Sequence, residues 1–251
     1  MLRVEHLLHL RCEVATADVL QLFEQHIHRA DLRLISVMDH TAGQRQWRDL
    51  AKYRQYMERN GRYSEEKFSE MLEDQQREHL AYATGHRRAV IAGARERGIP
   101  VASHDDTETE HVAEAHKEGI TMPEFPTTVH AARAARNAGM AIIMGGPNLV
   151  RGGSHSGNVA AAELAELGLL DIISSDYVPA SLLMSVFALH HQLGWELPRA
   201  VATASRTPAR AIGLHDRGEI APGQRADLAR VRWRGEHASV LQTWLQGRRV
   251  C

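Results

Sequence analysis

Apolar and polar positions along the chain repeat one pattern: a short apolar or β-branched run, a polar stop, then a longer stretch with helical spacing. Six such runs stand out: LLHLRCE (Leu7 to Glu13), LRLISVMDH (Leu32 to His40), IPVASHDD (Ile99 to Asp106), ITMPEF (Ile120 to Phe125), AIIMGG (Ala141 to Gly146) and DIISSD (Asp171 to Asp176). Runs this short and apolar, bounded by polar residues, predict strands buried on both faces, as in parallel sheets. Helical spacing fills the intervals: Ala17 to Ala30, a long charged stretch from Gln44 to Gly98, Glu108 to Glu118, Thr127 to Gly139 and Asn158 to Gly168. Gly98, Gly119, Gly139 and Gly168 fall just past the helical patterns, where helix-terminating glycines belong. Two further helical stretches follow, Ser181 to Gly194 and Pro198 to Gly213, and then a turn-rich tail from His215 to Cys251 that reads as a small β appendage.

Strict alternation of strand and helix predicts an α/β fold with a parallel sheet. Six strands suit an open doubly wound sheet, whereas a TIM-like barrel needs eight, so the count alone leaves an open sheet or an incomplete barrel. In the insert, Trp47, Tyr53, Tyr56, Tyr63, Phe68 and Tyr82 recur among charges, which predicts an amphipathic helical pair whose aromatics mainly pack, with a lid or dimer surface as the other use.

Composition narrows the function classes. The chain has 251 residues, 43% of them hydrophobic, with 30 basic against 31 acidic residues and a net charge of -1. That balance is ordinary for a globular protein and argues against a polyanion binder, so nucleic acid is not an expected partner. Charged and histidine residues interrupt the first 13 positions, MLRVEHLLHLRCE, as no export signal tolerates, and the apolar stretch around Leu182 to Leu189 falls short of a membrane span. Cys12 and Cys251 form no disulfide framework, so a reducing cytoplasm is expected.

In parallel α/β folds the chemistry gathers at the C-terminal ends of the strands. There the runs end in Glu13, in Asp39 and His40, in His104, Asp105 and Asp106, and in Asp176. Imidazoles and carboxylates converging on one mouth suit zinc, manganese or a related divalent ion. His40 and His104 are the expected nitrogen ligands, Glu13 an oxygen ligand, and Asp176 the base that takes a proton from activated water. After the fifth run, GGPNLVRGGSHSGN (Gly145 to Asn158) offers glycines for close backbone approach, Ser154 and Ser156 as donors, and Arg151 as a charged fork; a phosphate cradle and a purely geometric turn both fit. Gln44 and Arg45 could serve the same anion or form a solvated first helical turn. Cys12, beside Glu13, reads as a buried neighbour.

Several strings resemble the amidohydrolase superfamily, in particular its phosphonate-metabolism branch that supports carbon-phosphorus bond cleavage. They are HLRCE (His9 to Glu13), MDH followed by GQRQ (Met38 to Gln46), ASHDD (Ala102 to Asp106), EFPTT (Glu124 to Thr128), RGGSHSGN (Arg151 to Asn158), SSDY followed by PASLL (Ser174 to Leu183) and HDRGEIAPGQRADL (His215 to Leu228). The resemblance implies a TIM-like (β/α)8 metal-dependent hydrolase barrel lacking about its first two strands. Residues 1–214 would hold strands three to eight with the helical insert 44–98, and 215–251 the C-terminal part of a small β-sandwich domain.

It further implies hydrolysis of a phosphorylated ribose phosphonate, α-D-ribose 1-methylphosphonate 5-triphosphate, to the 5-phosphate and pyrophosphate. Gln44, Arg45, Asn148, Arg151, Ser154 and His155 are then the substrate-binding candidates. The resemblance also makes Asp176 a metal ligand as well as the proton acceptor, beside Glu13, His40 and His104; the family's metal centre is binuclear, and the resemblance implies that one position lacks ligands here. Two exposed sheet edges would invite a homodimer or a complementing N-terminal fragment, without which hydrolysis would be weak or absent. Another amidohydrolase reaction, such as deacetylation or deamination, and a non-catalytic remnant stay open at this point.

Overall fold

A computed structural model describes residues 3–58, 61–154, 157–235 and 237–251. By internal contacts the chain forms two compact units, one of residues 7–140 with 155–158, the other of residues 1–6, 141–154 and 159–251.

The first unit opens with strand β1 (Leu8–Glu13), helix α1 (Val19–His26) and β2 (Leu32–Met38). The insert follows as a 3-10 turn (Arg45–Trp47), α2 (Leu50–Met57) and the 32-residue α3 (Glu65–Glu96). Then come β3 (Val101–His104), α4 (Thr109–Lys117), β4 (Met122–Glu124) and α5 (Val129–Asn137). Strands β1 to β4 pair parallel in chain order, Glu13 opposite Met38, Val37 opposite Ser103 and His104 opposite Glu124. Leu32, Ile35 and Val37 are all but fully buried, as the apolar runs require. Period-two alternation turns His9, Arg11 and Glu13 to one face of β1, where they meet Ser36, Met38 and His40 in succession.

The helices start and stop where their side chains dictate. Asp49 accepts from the backbone N–H groups of Ala51 and Lys52 at the start of α2, and Ser64 from that of Lys67 at the start of α3. Gly119, with φ 75°, ends α4 and turns the chain into β4. Gly93 lets α3 approach α1: a Cβ there would stand 3.0 Å from the Phe23 ring. The insert's aromatics pack, with Trp47, Tyr53 and Phe68 buried together with Ala42, and Met57, Tyr63, Met71 and Leu72 around them.

In the second unit, β5 (Ile143–Gly145) and β6 (Ile172–Ser174) pair parallel, with α6 (Gly146–Arg151) and α7 (Ala161–Glu166) between them. Helices α8 (Ser181–His191), α9 (Leu197–Ala202) and α10 (Arg206–Ala211) follow. The tail forms an antiparallel sheet of β7 (Leu228–Arg234), β8 (His237–Leu245) and β9 (Arg248–Arg249). The stretch from Pro198 to Gly213 is thus two short helices rather than one. The glycine-rich segment after β5 also differs from an open loop, because its first half is helix α6. Pro147 sits in the first turn, where no backbone N–H is needed, and Gly152, with φ 82°, stops the helix in the left-handed region. Among the described residues no helix is long and apolar enough to cross a membrane.

Candidate metal centre

His40, His104 and Asp105 form the cluster that could hold a metal ion among the described residues, one donor atom from each lying within 4.8 Å of the others. Each is delivered by the end of a parallel strand. Asp105 follows β3 with φ 55°, a left-handed conformation that costs a non-glycine residue energy and that its N–H bond to the Glu124 carbonyl (2.9 Å) sustains. This turn points consecutive side chains, His104 and Asp105, to one place. Both are almost fully buried, whereas His40 is half-buried.

Asp105 Oδ2 lies 3.0 Å from His104 Nδ1 and 3.4 Å from His40 Nε2. Asp105 Oδ2 and His104 Nδ1, both buried, face each other without a well-aligned hydrogen bond. Two imidazole nitrogens and a carboxylate oxygen brought together at a buried strand end are a donor set that a shared divalent cation satisfies. The residues therefore fit a divalent metal.

Around this cluster the partners are specific. Glu13 Oε1 accepts from the His40 backbone N–H (2.9 Å), and Oε2 lies 2.5 Å from His40 Nδ1, which turns Nε2 toward Asp105. Carboxylates that orient a ligating imidazole in this way are usual in metal sites. Burial disfavours the His40 cation, but Asp105 and Glu13 outweigh it and hold the imidazole up at about 10. Burial also opposes ionisation of Asp105, yet the imidazoles of His104 and His40 hold its carboxyl well below the usual carboxylate range. His79 on α3 brings Nδ1 to 2.7 Å from Asp39 Oδ2, while Asp39 Oδ1 accepts from the Thr41 N–H, so the insert braces the turn that carries His40. On the inner face, His9 Nε2 lies 2.6 Å from Ser36 Oγ, which donates to Glu124 Oε2 at the same distance.

The remaining site candidates are placed differently. Arg45 gives Nη1 to Asp106 Oδ1 (2.5 Å) and to the His104 carbonyl (3.2 Å), an ion pair buried on the Asp106 side. It clamps the end of β3. Gln44 is half-buried and leads into the 3-10 turn, its N–H bonded to the Thr41 carbonyl. Both polar atoms of the Asn148 side chain are spent inside the second unit, Oδ1 on the Ala161 N–H and Nδ2 on the Val159 carbonyl, tying α6 to α7. Arg151 is exposed and caps the Gly153 carbonyl (3.0 Å). Ser154 is half-buried and engaged, and His155 lies outside the described residues. Asp176 follows β6 in the second unit, exposed, with φ 48° and its N–H on Ser174 Oγ. Two residues of the site have weak or no sequence signals. Asp105 joins the cluster beside His104, and the consecutive carboxylates of HDD are its signal in the sequence. His79, deep in a charged helix, carries no local signal.

A model of the amidohydrolase family matches residues 62–250. The chain belongs to the amidohydrolase family. Over 252 aligned residues, covering 99% of the chain, it is 46% identical to an enzyme named alpha-D-ribose 1-methylphosphonate 5-triphosphate diphosphatase from Escherichia coli (strain K12). The chain spans 66% of that enzyme's length. Among solved structures, D-hydantoinase superposes with a TM-score of 0.57 at 13% identity, covering 99% of this chain and 70% of that one. N-acetylglucosamine-6-phosphate deacetylase from Pasteurella multocida gives 0.56 at 13% identity, covering 98% and 76%. These likenesses show the fold: the amidohydrolase α/β architecture with an accompanying antiparallel sheet, as the alternation of strands and helices predicts.

Proposed function

We propose that this amidohydrolase is a divalent-metal-dependent diphosphatase that hydrolyses α-D-ribose 1-methylphosphonate 5-triphosphate to the 5-phosphate and pyrophosphate. The observation that carries the reading is the 46% identity to the E. coli enzyme of that name across 99% of the chain. In this reading zinc or manganese is held by His40, His104 and Asp105, with Glu13 orienting His40 from behind. The ion, when bound, lowers the pKa of water so that hydroxide is present near neutral pH. Water attacks the α-phosphorus, the bond to the bridging oxygen of the pyrophosphate breaks, and pyrophosphate leaves. Asp176, at the end of the last parallel strand, is assigned as acceptor of the water's proton, and Arg151 as a contact for the triphosphate. Buried walls around His104 and Asp105 keep bulk water off that side of the centre and strengthen its electrostatics.

The test is a product assay, because even slow turnover accumulates product over hours. The chain, loaded with manganese, is incubated with the ribose triphosphate and followed by 31P NMR. Pyrophosphate and the 5-phosphate are expected in equal amounts, and neither from the His104→Ala variant. A metal-loaded chain that leaves the triphosphate intact would overturn the proposal.

A further inference from the structure

Arg11 holds the most unusual contact of the inner face: its Nη2 lies 2.8 Å from His104 Nε2. A guanidinium has only donors and stays charged, so Nε2 has to accept, and the one proton of a neutral imidazole then sits on Nδ1, the nitrogen facing Asp105. The lone pair that a metal ion would use is therefore already aimed at a positive charge. The two occupants exclude each other. If the ion takes Nε2, it needs the lone pair that Arg11 uses. If it takes Nδ1, the proton moves to Nε2 and meets the guanidinium N–H head on. Either way the loaded site gives up the Arg11 contact. The side chain is free to leave, since Arg11 is exposed on β1 and its other bond, from Nε to Met38 Sδ (3.2 Å), is weak.

We infer that Arg11 is the centre's built-in stand-in for the metal ion, occupying the cation position at His104 in the metal-free chain and displaced when the ion binds. The inference rests on the metal-centre reading and deepens it. Arg11 competes with the ion for that ligand. Removing it makes the ion bind more tightly, by about tenfold or more, the worth of one charge-assisted hydrogen bond.

The experiment is calorimetric titration of the 251-residue chain with Zn2+, for the unaltered protein, Arg11→Met and Arg11→Lys, each shown by its melting curve in chelator to be folded. Arg11→Met is expected to lower the Kd for Zn2+ at least about tenfold, and Arg11→Lys, which retains the charge, by less. An equal or weaker affinity in Arg11→Met overturns this inference alone, whereas no Zn2+ bound by any form overturns both it and the metal-centre reading. Should Arg11→Met not fold, 15N NMR of the unaltered chain in chelator decides. A proton on His104 Nδ1 with Nε2 bare is expected, and a proton on Nε2 overturns the inference.

Discussion

At the scale of single residues, neighbours set the chemistry more than side-chain type does. His40 ends a strand like many histidines, but Glu13 and Asp105 on either side hold its imidazole up at about 10. A raised pKa stabilises the fold in the protonated state, so this contribution in the metal-free chain is full below about pH 6.5 and fades as pH climbs through about 10. A divalent ion must displace that proton. The apparent affinity for Zn2+ is therefore expected to rise close to tenfold per pH unit above neutrality and to level off near pH 10, and a pH-independent affinity between pH 7 and 9 would show that His40 is not a ligand. Cys12 gives the opposite case. Burial pushes its thiol up to about 11, so a thiol reagent at pH 8 should label Cys251, which is exposed, and reach Cys12 only after unfolding. Rapid labelling of both in the native chain would contradict the burial of Cys12 within β1.

At the scale of elements, the insert between β2 and β3 links stability to the site. Its aromatic cluster of Trp47, Tyr53 and Phe68 anchors the turn after His40 to α3, and His79 of the same helix reaches Asp39. Phe68→Ala empties the centre of that cluster and is expected to cost about 3–5 kcal/mol, with a melting temperature lowered by several degrees. Exposed positions on the same helix, such as Leu80→Ala, should cost less than about 1 kcal/mol by the same measurement, because little surface is removed from contact. If both substitutions cost the same, the aromatic cluster is not an anchor. Helix α6 shows the limit of local reading. Glycines at both ends suggested a loop, but Pro147 is tolerated in a first turn and Asn148 fastens the helix to α7, a tertiary contact invisible to local propensity.

At the scale of the whole molecule, β1 pairs with β2 on one side only, and among the described residues no strand pairs its other edge. Unpaired backbone groups along an edge strand recruit other chains. The 251-residue chain expressed by itself is expected to self-associate with rising concentration in sedimentation velocity. A chain that stays monomeric at millimolar concentration would mean that the edge is protected in another way.

Strand and helix alternation, the helix-ending glycines, the small β tail and the histidines at strand ends were legible in the linear sequence. Each depends on local periodicity or on residues adjacent in the chain. His40 and His104 in particular stood out because a parallel strand must end where the chemistry gathers. Tertiary structure alone decided what those residues do. Register across β1, β2 and β3 sets Glu13 behind His40 and Arg11 against His104, and one left-handed residue turns Asp105 into the cluster. A one-residue slip in pairing would send each of these side chains to the opposite face. Arg45 makes the same point: the sequence allows it either an anion contact or a solvated helical turn, and a buried Asp106, sixty-one residues away, pairs with its charge. Distances between residues remote in the chain carry no local signature, because many sequences share the period and only the folded packing selects the partner.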